Sequence, residues 1–163
     1  MRFNHPYIVG VFSYEYVEDY GECIIMEYVD GVTLDKFLAE KPHRSERVRI
    51  ARELAEAVNY MHSKGVSHRD LKPDNIMVTR EDSHVVIIDF GLGDSQDFAI
   101  LKSSSATLSY GAPEQLTSNV ADMKSDIYSL GLIFRDLHLP IFYHGIISRM
   151  LRHKPAKRPS IKK

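Results

Sequence analysis

Cysteine is nearly missing from this chain. Cys23 is the only one among 163 residues, so no internal disulfide can form, and a reducing, cytoplasmic setting is the compartment this favours. Net charge is almost missing too: Lys and Arg against Asp and Glu leave a formal −1, so no global field draws the chain to nucleic acid or to an anionic membrane. No run approaches the ~20 apolar residues that cross a bilayer, and Met1 to Pro6 lacks the apolar core of a signal peptide. The eight histidines have no zinc-ligand spacing and no second cysteine to help them. The expected partners therefore include no nucleic acid, no membrane and no structural zinc.

What remains is the composition of an ordinary globular protein, 44% hydrophobic and 26% charged, with length for one compact domain. Basic residues gather near the end (Arg149, Arg152, Lys154, Lys157, Arg158, Lys162, Lys163), which reads as a solvated face. Cys23 precedes the apolar run Ile24-Ile25-Met26 and is expected as a buried strand residue.

The first part reads as β-structure. Residues 8–12 and 22–28 are β-branched and aromatic, with a turn at Glu18-Asp19-Tyr20-Gly21 between them. Asp30-Gly31 breaks the pattern, and Thr33 can cap a short helix through Leu34, Phe37 and Leu38. The clearest helix is 45–64. Its apolar positions Ile50, Leu54, Ala57, Val58 and Met61 recur at three- and four-residue spacing, Ser45 is a candidate N-cap, and Gly65 stands where a left-handed residue ends a helix.

Strands at 76–79 and 85–88 follow, joined by a polar turn at 80–83. Residues 91–111 are rich in Gly, Ser and Asp, and a loop this long in a compact domain is usually functional or disordered. Pro113 suits the first turn of a short helix. A second apolar helix is expected over 125–138, and a short one over 146–153. The fold class is α+β: mainly helical, with small β-hairpins.

Polar residues attach to these apolar elements in a fixed order. Asp70, Lys72 and Asn75 lie between the long helix and a strand, and Asp89 follows the next strand directly. Carboxylate and amide oxygens of this kind suit Mg²⁺, which prefers one or two protein oxygens plus phosphate oxygens to an all-protein cage. An isolated aspartate at a strand end is usually a turn or a cap. That bland explanation does not cover the whole ordered set.

The run His68-Arg69-Asp70-Leu71-Lys72-Pro73-Asp74-Asn75, then Asp89-Phe90-Gly91, then Ala112-Pro113-Glu114, resembles the signature set of the Ser/Thr protein kinase family. The resemblance spans nearly the whole chain. His5 to Val9 is similar to the entry of a small-lobe strand, Met26-Glu27-Tyr28-Val29 to a gatekeeper and hinge, Asp126 to Gly131 to the central helix of the large lobe, and Arg158-Pro159-Ser160 to a late arginine motif. It implies a partial kinase domain over 1–163: a remnant of small-lobe strands and hinge at 1–29, and the large lobe at 30–163.

The same resemblance implies ATP and Mg²⁺ as cofactors and a protein Ser/Thr hydroxyl as acceptor. Asp70 would orient that hydroxyl and take its proton, and Lys72 would reach the transferring phosphate. Asn75 and Asp89 would hold Mg²⁺. Met26 with the backbone of Glu27 and Val29 would meet adenine above Met77, and Thr107 would pack near Asp70 and Lys72. Ala106 stands where the family usually has Gly. His68 and Phe90 would stack, Asp126 would receive the catalytic-loop amides, and Glu114 would pair with Arg158. Arg69 would read phosphorylation at Ser103, Ser104 or Ser105.

Two departures limit these expectations. No Gly-rich phosphate loop, strand lysine or helix glutamate occurs, so a fragment with little activity of its own is expected. A missing small-lobe segment or a partner chain would then cover strand residues Ile8, Val9 and Val11. Residues 137–145 also form a short link where the family places a substrate-docking helix. The alternatives are an inactive scaffold lobe and a small-molecule phosphotransferase of similar fold.

Overall fold

The structure is a computed structural model and describes residues 3–89, 109–118 and 122–160. Phe90, Ser103, Ser104, Ser105, Ala106 and Thr107 lie outside the described residues.

The chain opens with an antiparallel hairpin, β1 (Val11–Val17) and β2 (Gly21–Met26), in the register Tyr14 to Ile24 and Tyr16 to Glu22. Gly21, with φ +75°, supplies the left-handed residue at the turn. The strand expected from Ile8 begins later, at Val11. Ile8 instead bridges Ile87 in parallel, with Val9 N donating to Ile87 O (3.0 Å) and Ile87 N to Tyr7 O (2.9 Å). This pairing draws Ile8 and Val9 into the core, so they are buried rather than left uncovered, and Val11 is half-buried. The exposed face belongs to Phe12, Tyr14 and Tyr16, alternate residues along β1. Cys23 lies in β2 as expected but is half-buried, because a two-stranded ribbon cannot enclose its own residues.

A second sheet holds β3 (Gly31–Thr33), β4 (Ile76–Thr79) and β5 (Val85–Ile87), all antiparallel in that order. Gly31 is required by close approach: a Cβ there would stand 2.3 Å from the Val78 carbonyl oxygen. The β4–β5 turn is the polar segment expected, closed by Thr79, whose hydroxyl donates to Asp82 Oδ1 (2.8 Å) and accepts from His84 N (2.9 Å).

Helix α1 (Leu34–Ala39) starts after Thr33, although the Thr33 side chain makes no capping bond. Helix α2 (Arg44–Ser63) buries Ile50, Leu54, Ala57, Val58 and Met61, the residues its periodicity selects. Its N-cap is His43, not Ser45. His43 holds the extended conformation, accepts from Ser45 N through Nδ1 (3.3 Å), and donates its own amide to Glu46 (2.8 Å). Gly65, φ +77°, follows the C-terminus as expected.

Helix α3 (Pro113–Ser118) precedes α4 (Met123–Asp136), which starts ahead of the expected Ser125 because Asp122 caps it, accepting from Lys124 N and Ser125 N. Helix α5 (His144–Met150) also starts and stops earlier than 146–153. The core lies where α2 packs against α4 on one side and the second sheet on the other: Ile50, Leu54 and Met61 meet Ile127, Leu130 and Ile133, with Ile76 and Ile87 closing the stack. Each such side chain contributes about 1.5–3 kcal/mol by leaving water. The loop joining α2 to β4 is thereby fixed against the N-terminal end of α4.

Candidate active site

That loop is organised around one buried carboxylate. Asp126, in the first turn of α4, is 1% exposed and accepts from His68 N (2.8 Å), Arg69 N (2.8 Å), Ser67 Oγ (3.0 Å) and His62 Nε2 (2.9 Å). Burial alone would raise its pKa. The hydrogen bonds from His62 and the two amides outweigh burial and hold the carboxyl below its usual range. The catalytic-loop amides thus meet Asp126 as the motif order implied.

With its amide pinned, Arg69 adopts φ +67°, a left-handed conformation that is costly for a residue with a Cβ. The next residue, Asp70, is buried, and its amide points at His68 Nδ1 (3.3 Å). His68 is itself fully buried, and its Nε2 lies 3.4 Å from the Ile88 carbonyl, an acceptor, so this nitrogen carries the hydrogen.

Two of the expected polar residues converge on the carboxylate of a third, Asp70. Lys72 Nζ stands 3.2 Å from Asp70 Oδ2, and Asn75 Nδ2 donates to the same oxygen (3.1 Å) and to the Asp70 carbonyl (2.8 Å). Asn75 itself ends a short 3-10 turn, Pro73–Asn75, that leads into β4. Its carbonyl accepts from Ile88 N (2.9 Å), which brings the end of β5 beside it. Asp89 comes next, exposed and with φ +51°. Asn75 uses its amide nitrogen on Asp70; its amide oxygen and the Asp89 carboxylate are oxygen groups of the kind a hard cation takes. Such a sparse oxygen set suits Mg²⁺ that also carries phosphate oxygens.

The residues expected as a hinge follow the first hairpin. Met26 ends β2, and the Glu27 amide donates to Gly10 O (2.7 Å), so only the Glu27 carbonyl is left from that residue's backbone to meet a base. Met77 sits half-buried in β4, opposite Val86 and Thr33. A cleft of about 450 Å³ opens beside Glu27, Tyr28 and Val29, but its other walls include His5, Ile8, Glu81 and Asp82. Neither Asp70 nor Asp89 lines it.

Glu114 and Arg158 pair as expected, in a two-pronged arrangement: Nη1 to Oε1 at 2.5 Å and Nη2 to Oε2 at 2.7 Å. Burial pushes the Glu114 pKa up, but Arg158, a backbone amide and the Ser125 hydroxyl prevail and lower it.

Sequence reasoning missed four supporting residues. His62 and Ser67 complete the Asp126 shell. Glu53 is fully buried and receives His84 Nδ1 (2.7 Å) and Val85 N (3.0 Å), anchoring the strand that leads to Asp89. The signal for Glu53 was available: a carboxylate inside the apolar stripe of α2, three residues after Ile50. Gln115 joins Arg69 to Ala112, a contact no periodicity reveals.

Comparison with known proteins agrees with this geometry. The sequence pattern of the family described as "Protein kinase domain" matches residues 1–145. Serine/threonine-protein kinase PrkC of Bacillus subtilis is 31% identical over 98% of the chain, which covers 26% of that protein. Probable serine/threonine-protein kinase PknB of Lactococcus lactis is 31% identical over 97% of the chain and 26% of its own length. Calcium/calmodulin-dependent protein kinase type 1 of Macrobrachium nipponense is 37% identical over 81% of the chain and 39% of its own length. The chain thus spans about a quarter of the two bacterial relatives. By the extent of the family match, and with a buried aspartate holding the loop that presents Asp70, Lys72 and Asn75, the chain belongs to the protein kinase domain family.

Proposed function

We propose that the protein containing this chain transfers the γ-phosphoryl group of ATP to a serine or threonine hydroxyl of a protein, and that this chain supplies the catalytic loop. The carrying observation is the Asp70 carboxylate, with Lys72 and Asn75 on one oxygen. The acceptor hydroxyl would donate to the Asp70 carboxylate. As its oxygen bonds to the γ-phosphorus and the bond to the bridging oxygen of ADP breaks, the proton passes to Asp70. Lys72 neutralises charge on the oxygens in flight. Mg²⁺, held by Asn75 and Asp89, would neutralise the phosphates.

Adenine would meet the Glu27 carbonyl and the Val29 backbone near Met26, over Met77. Thr107 would buttress Asp70 and Lys72. Residues 1–29 act in this proposal as small-lobe strands and hinge, and 30–163 as the large lobe. The Gly-rich loop and strand lysine would come from a further segment or a partner chain, seated on the exposed Phe12, Tyr14 and Tyr16 face. The cytoplasm, where ATP is supplied, is the proposed location. No helix among the described residues is long and apolar enough to cross a membrane.

The test is labelled-ATP transfer by the full-length protein with a protein acceptor, followed by phosphoamino-acid analysis. Phosphoserine or phosphothreonine that disappears with EDTA is expected. Transfer to small alcohols but not to peptides would overturn the proposal.

A further inference from the structure

The peptide plane that joins Arg69 to Asp70 is held from two sides. Its N–H, on Asp70, points at His68 Nδ1 (3.3 Å). Its C=O, on Arg69, accepts from Gln115 Nε2 at 2.8 Å. Gln115 is not part of the loop. It lies in α3, after Glu114, and its Oε1 accepts from Ala112 N at 2.9 Å. The two partners determine the amide's orientation, because its oxygen must face an N–H and its nitrogen a carbonyl.

The support beneath Gln115 is rigid. Glu114 is fixed by Arg158 and by the Ser125 hydroxyl (2.8 Å), and Ala112 is fully buried. The φ of +67° at Arg69 is unfavourable and calls for restraint, and Asp126 grips the two amides before this peptide, those of His68 and Arg69. An uncompensated change in the Arg69 ψ or the Asp70 φ would swing the Asp70 side chain away from Lys72 and Asn75.

We propose that Gln115 is a positioning residue: it clamps the Arg69 carbonyl, sets the direction of the Asp70 carboxylate, and couples that direction to the Ala112–Pro113 turn. A ligand or modification that shifts that turn therefore changes the aim of Asp70 without touching it. The role in transfer rests on the proposed function. The clamp itself does not.

The test compares Gln115→Glu and Gln115→Lys in the full-length protein. Glutamate keeps the length and the acceptor for Ala112 N but sets an oxygen against the Arg69 carbonyl. Lysine keeps a donor for that carbonyl. Gln115→Glu is expected to lower kcat about 10- to 100-fold, as small misplacements of a reacting group do, with KM for ATP unchanged. Its Asp70 amide is expected to exchange hydrogen about five- to tenfold faster, while the His68 and Arg69 amides, on Asp126, keep their wild-type rates. Gln115→Lys is expected to stay near wild type in both readouts.

Wild-type kcat and Asp70 exchange in Gln115→Glu would overturn the proposal, as would equal losses in both variants accompanied by a fall in Tm. If Gln115→Glu does not fold, Gln115→Met, which removes both hydrogen bonds at similar length, carries the same expectations. A wild-type protein that transfers no phosphate defeats the proposed function, and Asp70 exchange then still decides the clamp.

Discussion

Glu114→Gln removes one charge from a largely enclosed ion pair. The Arg158 side chain is fully buried, whereas Glu114 is 16% exposed. Arg158 donates Nε to Arg152 O (2.7 Å), Nη1 to Lys124 O (2.9 Å) and Nη2 to His153 O (3.0 Å), besides its two bonds to Glu114, and its guanidinium carbon lies 4.8 Å from the Tyr128 ring centre. After Glu114→Gln the cation stays buried with only neutral acceptors. Breaking a buried pair from one side costs about 3–5 kcal/mol, and because water can reach the Glu114 position the lower end, about 3, is expected.

Arg158→Met strips the donor from three backbone carbonyls as well. Each carbonyl left unpaired and buried costs about 1–3 kcal/mol, so this variant should lose at least as much. The double variant should then be more stable than the sum of the singles implies, by about 2 kcal/mol. Against a domain stability of about 5–15 kcal/mol these are large effects. Urea titrations followed by far-ultraviolet circular dichroism, with m-values compared, measure all three. A coupling below about 0.5 kcal/mol would refute the view that this pair anchors α3.

Other perturbations test neighbouring parts of the account. Asp126→Asn turns an acceptor of two amides into a group that also donates, and should lower stability by about 1–3 kcal/mol and speed exchange of the His68 and Arg69 amides, read by denaturation and by hydrogen exchange. Asp126 and Glu114 both have depressed carboxyl pKa values in the folded chain. Their contribution is therefore complete above the unfolded value, about pH 4, and is lost as pH falls through the lower folded values. Urea midpoints should drop below about pH 4, and less steeply in Glu114→Gln. Gly31→Ala forces a Cβ onto the Val78 carbonyl and should cost about 1–3 kcal/mol by displacing β3 from β4, measured as a lowered Tm.

Much of the site was legible because its chemistry is carried by short, ordered runs. The segment from His68 to Asn75 folds back on itself, so residues close in sequence meet in space, and Lys72 and Asn75 reach the Asp70 carboxylate. Helix α2 was legible for a different reason: its buried stripe obeys the 3.6-residue period. Less was visible where capping or long-range pairing decides. His43 replaced Ser45 as N-cap because an imidazole nitrogen can accept from a helix amide, a role that cap preferences do not assign to histidine.

Ile8 and Val9 read as the start of a strand, yet they are buried through backbone bonds to β5, nearly eighty residues on. Gln115 and Glu53 act through single contacts across the fold, and no local pattern encodes their partners.

In the proposed reaction Asp70 takes the acceptor's proton, while the nucleotide is held by other groups. Asp70→Asn in the full-length protein tests it by pairing single-turnover phosphate transfer with calorimetric ATP binding. The expected result is a transfer rate lower by about 10²–10⁴-fold, the usual worth of a positioned base, with the ATP dissociation constant unchanged. Transfer at the wild-type rate in Asp70→Asn would contradict that role.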